Sequence, residues 1–88
     1  MSELKSADEC RTAKLQDWNI TDLTDALGIK RTMDVLGTSA RVIYTIRHTN
    51  AVGYDRYVKL LDAVKADEKA CRERLVTIRA LRAARRTK

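Results

Sequence analysis

Three glycines, at 28, 37 and 53, and not one proline are the only strong backbone breakers in this 88-residue chain. With so little punctuation, apolar residues that recur at helical intervals run on into regular structure, and long irregular segments find no local support. The pattern predicts an all-α fold of about five helices joined by tight turns, the last of them long and basic. Phe is absent, and the aromatics are Trp18, Tyr44, Tyr54 and Tyr57, so Leu, Ile, Val, Met and Ala must fill the core. A chain of this length makes one small domain with a modest core, and pairing or a ligand often adds stability at that size.

The stretch Ile29–His48 organises the rest. Met33 and Leu36 sit one helical turn apart, and Gly37 follows where a left-handed residue can end a helix at least cost. Ser39 can cap a second helix, whose apolar positions Val42, Ile43 and Ile46 share one side. Its outer side then carries Ala40, Arg41, Tyr44, Thr45 and Arg47. Such a mixture of hydrogen-bonding and cationic groups can read base edges and grip phosphates.

These residues resemble the helix-turn-helix of the Cro and phage-repressor family (XRE-like regulators). Gly37 stands at the turn glycine, Leu36 before it, and Ile43 and Ile46 at the two core positions of the second helix. Leu27-Gly28 followed by Leu36-Gly37 is similar to the spacing in lambda-type Cro, and Tyr54–Val64 looks like the helix that closes the domain in the wider group. The resemblance spans residues 19–65; the family usually has alanine where this chain has Met33. It implies sequence-specific binding to double-stranded DNA, with Ser39, Ala40, Arg41, Tyr44 and Thr45 on base-contacting positions. An arginine at position 41 can donate two hydrogen bonds to guanine. Arg41 is otherwise a solvated surface residue, Ser39 is equally explained as a helix cap, and Tyr44 as a packing residue.

Around this centre the chain divides into an arm (1–18), the helix-turn-helix region (19–65) and a basic segment (66–88). In the arm, Ser6-Ala-Asp-Glu9 has capping-box spacing and could open a helix to about Asp17, with Leu4, Ala7, Cys10, Leu15 and Trp18 as a thin apolar stripe. The arm is a docked helix or a mobile tail, anchored by Trp18. Asn19 or Thr21 can cap the next helix, Asp22 suits its first turn, and Ile20, Leu23, Ala26 and Leu27 form its face before Gly28. Helices are expected over Lys30–Leu36 and Ser39–His48, then a loop at 49–52, then a helix through Tyr57, Leu60, Leu61 and Val64. Asp67 and Glu68 mark either a break or the acidic start of the final helix.

Charge is distributed unevenly. Lys69–Lys88 holds eight Lys or Arg and one Glu, whereas residues 1–68 hold ten basic and eleven acidic residues. Nucleic acid and anionic membrane surfaces are the natural partners of that basic end. Arg79, Arg82, Arg85 and Arg86 read as a phosphate-binding arm, a disordered tail, or the solvated side of a pairing helix. Phosphate contacts are expected from Lys30 and Arg31, which open a helix, from Arg47 and His48, which close one, and from Arg82, Arg85 and Arg86. Cys71, Leu75, Ile78 and Leu81 recur at spacings of four, three and three, a stripe that either packs against a neighbour within the chain or forms the seam of a homodimer reading an inverted repeat.

Other classes find little support. One His and two distant Cys give no zinc-ligand spacing, and no nucleophile–base framework or Gly-rich phosphate loop is visible. No cofactor, metal, catalysis, small-molecule substrate or membrane span is expected. Glu3, Asp8 and Glu9 without an apolar run argue against a signal peptide, and a reduced, cytoplasmic setting is expected with both thiols acting as small apolar residues. The expected function is transcriptional repression by promoter occlusion. The competing expectations are an antitoxin-type protein-interaction module and a non-specific architectural DNA-binding protein.

Overall fold

The computed structural model describes residues 7–86, which form six α-helices and one 3-10 turn, with no strand among the described residues. The helices are α1 (Ala7–Thr12), α2 (Ile20–Leu27), α3 (Ile29–Leu36), α4 (Ala40–Thr49), α5 (Tyr54–Ala66) and α6 (Glu68–Arg86), and the 3-10 turn is Leu15–Asp17. The chain is an all-α domain.

The first helix stops at Thr12 instead of running on to Asp17. In one continuous helix Leu15 would be rotated about 140° from Cys10. Extended backbone at Lys14 and the 3-10 turn bring it back, so that Cys10, Leu15 and Trp18 are all buried in one core. The arm is therefore docked; Leu4 and Ser6 of the expected stripe and capping box lie outside the described residues. Arg72 of α6 fastens it. Its Nη1 donates to the carbonyls of Cys10 (2.9 Å) and Ala13 (2.9 Å), and its guanidinium lies 5.3 Å from the Trp18 ring centroid. These carbonyls would otherwise be the orphan acceptors of a helix end, and the cation also faces the electron-rich ring.

Asn19 caps α2 in a full capping box. Its side chain accepts from the Asp22 N–H (2.8 Å), and the Asp22 carboxylate accepts from the Asn19 N–H (3.1 Å). A single residue, Gly28 at φ +85°, ends α2 and admits α3. Only a residue without a Cβ takes that backbone readily. The Gly28 carbonyl accepts both the N–H (3.0 Å) and the hydroxyl (2.8 Å) of buried Thr32. At the far end of α3, Gly37 adopts the left-handed conformation and Gly37-Thr38-Ser39 form the turn into α4.

The core is organised around α2, which packs against α3, α4, α5 and α6, while α6 also covers α1. Ile20, Leu23, Ala26 and Leu27 of α2 meet Leu36, Ile46, Leu60, Val64, Cys71 and Leu75. Asp67 is the break between α5 and α6, and its carbonyl accepts the Cys71 N–H at 2.9 Å.

Two members of the expected dimer seam are thereby corrected. Cys71 and Leu75 are 1 % and 0 % exposed inside their own chain, so they are core residues and have no surface to offer a second copy. Leu81 is 58 % exposed and Ile78 is half-buried.

Candidate nucleic-acid interface

Helix α4, which follows α3 across the Gly37–Ser39 turn, is held from inside by Ile43, fully buried, and Ile46, nearly so. Residues a helical turn apart share a face, and Arg41, Tyr44, Thr45 and His48 therefore line one side of α4. All four are exposed. Tyr44, at 57 % exposure, is not the packing residue it could have been. The Thr45 hydroxyl donates to the Arg41 carbonyl (3.0 Å), which leaves its methyl for apolar contact. Ala40 is half-buried at the helix start, and Ser39 before it is exposed.

Ser39 occupies the N-cap position, but its hydroxyl makes no capping hydrogen bond. Only its carbonyl takes part, accepting the Ile43 N–H at 3.3 Å. The expected side-chain cap is thus not made. Cap formation needs the hydroxyl to reach the second or third N–H of the helix, and here it does not.

The expected phosphate contacts separate into two groups. Lys30, His48, Arg82 and Arg85 are exposed. Arg31 is paired with Asp67 (3.0 Å), but both side chains are well solvated, so the pair is weak and leaves Arg31 available. Arg47 is different. Its Nη2 donates to an Asp25 oxygen at 2.9 Å and the side chain is 21 % exposed, so its guanidinium is already engaged within the fold. Arg86 closes α6, and its side chain lies outside the described residues.

The basic segment is also not the free arm its composition suggests. Arg74 Nη1 donates to the Ala26 (2.9 Å) and Leu27 (3.1 Å) carbonyls, closing the C-terminal end of α2. Arg79 is 4 % exposed; it donates to Asp22 (2.7 Å) and to Asp25 (2.8 Å). Burial disfavours its charge, but the hydrogen bonds and charges of the two carboxylates outweigh that and hold the guanidinium above its usual range. The Cys71 thiol is pushed up by burial, with Asp67 adding to the effect and Arg31 and Arg74 opposing it.

Three of the eight terminal cations are therefore internal fastenings. A sign was present in the sequence: Arg79 continues the four-residue spacing of Cys71 and Leu75, and two carboxylates, Asp22 and Asp25, lie one turn apart on α2. Past Arg79 the helix continues with Ala80 to Arg85 all exposed.

No family model, curated protein or solved structure matches this chain.

Among the described residues no cluster of His, Cys, Asp and Glu could hold a metal ion, and no helix is long and apolar enough to cross a membrane. The arrangement offers a shaped, hydrogen-bonding helix face and a basic helix end, and both suit a polyanion with readable edges.

Proposed function

We propose that this chain is a sequence-specific DNA-binding protein that represses transcription by occluding a promoter, acting in the cytoplasm by binding and not by catalysis. The observation that carries the reading is the division of α4: Ile43 and Ile46 anchor it, while Arg41, Tyr44, Thr45 and His48 face outward together. A helix so held can enter the major groove, where Arg41 can donate to guanine and the Thr45 and Ala40 methyls can meet thymine. Lys30, Arg31, His48, Arg82 and Arg85 supply phosphate contacts that set position without reading sequence.

Pairing belongs to the same proposal, since one helix-turn-helix covers few base pairs and two copies would read an inverted repeat. Leu81 and the flank of Ile78 are the apolar surface of α6 available for it. So small a contact falls well short of the roughly 1,000 Å² a stable interface buries, so it joins two copies when one duplex already holds both. Selection of duplexes from a random pool tests the reading. It expects enrichment of one motif, and recovery of unenriched sequence would defeat it.

A second reading draws on the exposed end of α6. If Arg82 and Arg85 supply nearly all affinity, the protein is an architectural DNA binder and α4 is incidental. It would then bind the random pool strongly without enriching any member.

A further inference from the structure

Asp25 is a hub that the DNA-facing residues do not explain. One of its oxygens accepts from Arg47 on α4 (2.9 Å), and the other accepts from Arg79 on α6 (2.8 Å). Arg79 also reaches Asp22, one turn earlier on α2, at 2.7 Å. Asp25 is 11 % exposed, and the Asp22 and Arg79 side chains are essentially buried. The chain thus runs from α6 through α2 to the last turn of α4. The main packing of α4 is on α2 and α3, and Asp25 links it by ion pairs to the long C-terminal helix.

Stability is a poor explanation for this network. Arg79 Nε is buried without an acceptor, and a buried ion network that is incompletely satisfied contributes less than well-packed apolar residues would. Position is the better one. The carboxyl end of α4 is attached to α2 at two places: Asn50, left-handed at the helix end, accepts the Ile20 N–H through its side-chain oxygen (3.2 Å), and Arg47 holds Asp25 one turn before. Two attachments on the same helix end fix both its place and its rotation. The rotation of α4 about its own axis decides which of Arg41, Tyr44 and Thr45 meets a base edge.

We infer that Asp25 is the positioning residue of the DNA-reading helix: by clamping Arg47 against an α6-anchored carboxylate, it sets the rotation of α4 and hence sequence discrimination. This rests on the DNA-binding reading proposed above.

Two variants separate positioning from phosphate binding. Arg47→Met breaks the α4 attachment yet leaves Asp25 paired with Arg79, so no buried charge is abandoned. Asp25→Asn instead removes the carboxylate and frees Arg47 toward solvent. Each is checked for folding by circular dichroism, then titrated with the selected duplex and with random duplex over a range of salt. The orientation of α4 relative to α2 is read independently, without DNA, from amide residual dipolar couplings.

Positioning expects reoriented α4 couplings in both variants and a fall of about tenfold in the ratio of specific to random affinity, the scale of one good base contact. The salt slope stays unchanged in Arg47→Met. A phosphate role expects the opposite: Arg47→Met weakens both duplexes equally and flattens the slope by about one unit, and Asp25→Asn tightens both. That outcome, or an α4 orientation equal to wild type in both variants, overturns the inference. If the wild-type chain discriminates among no duplexes, the DNA reading itself fails, and the couplings alone then decide whether Asp25 orients α4.

Discussion

Arg41 and Arg47 lie on the same helix and carry the same charge, yet their surroundings give them different work. Arg41 is exposed beside Tyr44 and Thr45, and among the described residues it has no ion pair that the proposed base contact would have to break. Arg41→Ala should therefore cost about 1–3 kcal/mol on the selected duplex and much less on random sequence. Titration of both duplexes checks this, and equal weakening on both would reduce Arg41 to a phosphate contact. Cys71 makes a prediction of a different kind. Burial holds its thiol protonated above the ordinary range, whereas the unfolded chain releases that proton at about pH 8.5. Above that pH the unfolded state binds fewer protons than the native one, so stability is complete below it and falls as pH rises. Denaturant titrations across alkaline pH should show the decline, and Cys71→Ala should flatten it even if its stability at neutral pH is lower.

At the scale of the element, α6 is two helices in one. Up to Arg79 it is structural, with Arg72 closing the end of α1, Arg74 closing that of α2, and Cys71 and Leu75 in the core. Beyond Arg79, Ala80 to Arg85 are exposed, and strong helix formers such as Ala, Leu and Arg sustain a helix there with little packing. Truncation after Leu81 removes Arg82, Arg85, Arg86 and Lys88 and should leave the melting temperature nearly unchanged. The slope of log affinity against log salt should become shallower by roughly one unit for each phosphate no longer neutralised. An unchanged slope would show that the basic end does not touch DNA.

At the scale of the molecule, a core without Phe leaves little margin. Leu75 is fully buried where α6 joins the core, and Leu75→Ala should cost about 2–5 kcal/mol, a large part of the roughly 5–15 kcal/mol typical of a whole domain. Leu81→Asp, on the exposed end, should leave thermal stability intact and isolate pairing. Ultracentrifugation on a duplex carrying two half-sites should show wild type bound as two coupled copies and Leu81→Asp bound as independent ones. Coupling that survives in Leu81→Asp would place any pairing surface away from Leu81.

The number and approximate limits of most helices were legible in the residues alone, because those are local matters. Gly28 and Gly37 stop helices through backbone conformation, Asn19 starts one through a reach of a few residues, and the periods of Ile20–Leu27 and Val42–Ile46 mark inner faces without reference to the rest of the chain. The same local spacing placed Arg41, Tyr44 and Thr45 on the outward side of α4. The partners of charges distant in sequence were not legible in this way. Composition shows eight cations after residue 68, but a guanidinium is the same group whether it meets phosphate, water or a helix end. Only the packing of α6 along α1 and α2 turned Arg72 and Arg74 into helix caps and buried Arg79 between Asp22 and Asp25, and only that of α4 on α2 brought Arg47 to Asp25. The same packing moved Cys71 and Leu75 from an expected seam into the core. An apolar stripe records that a face must be covered, and the assembly of the whole chain determines by what.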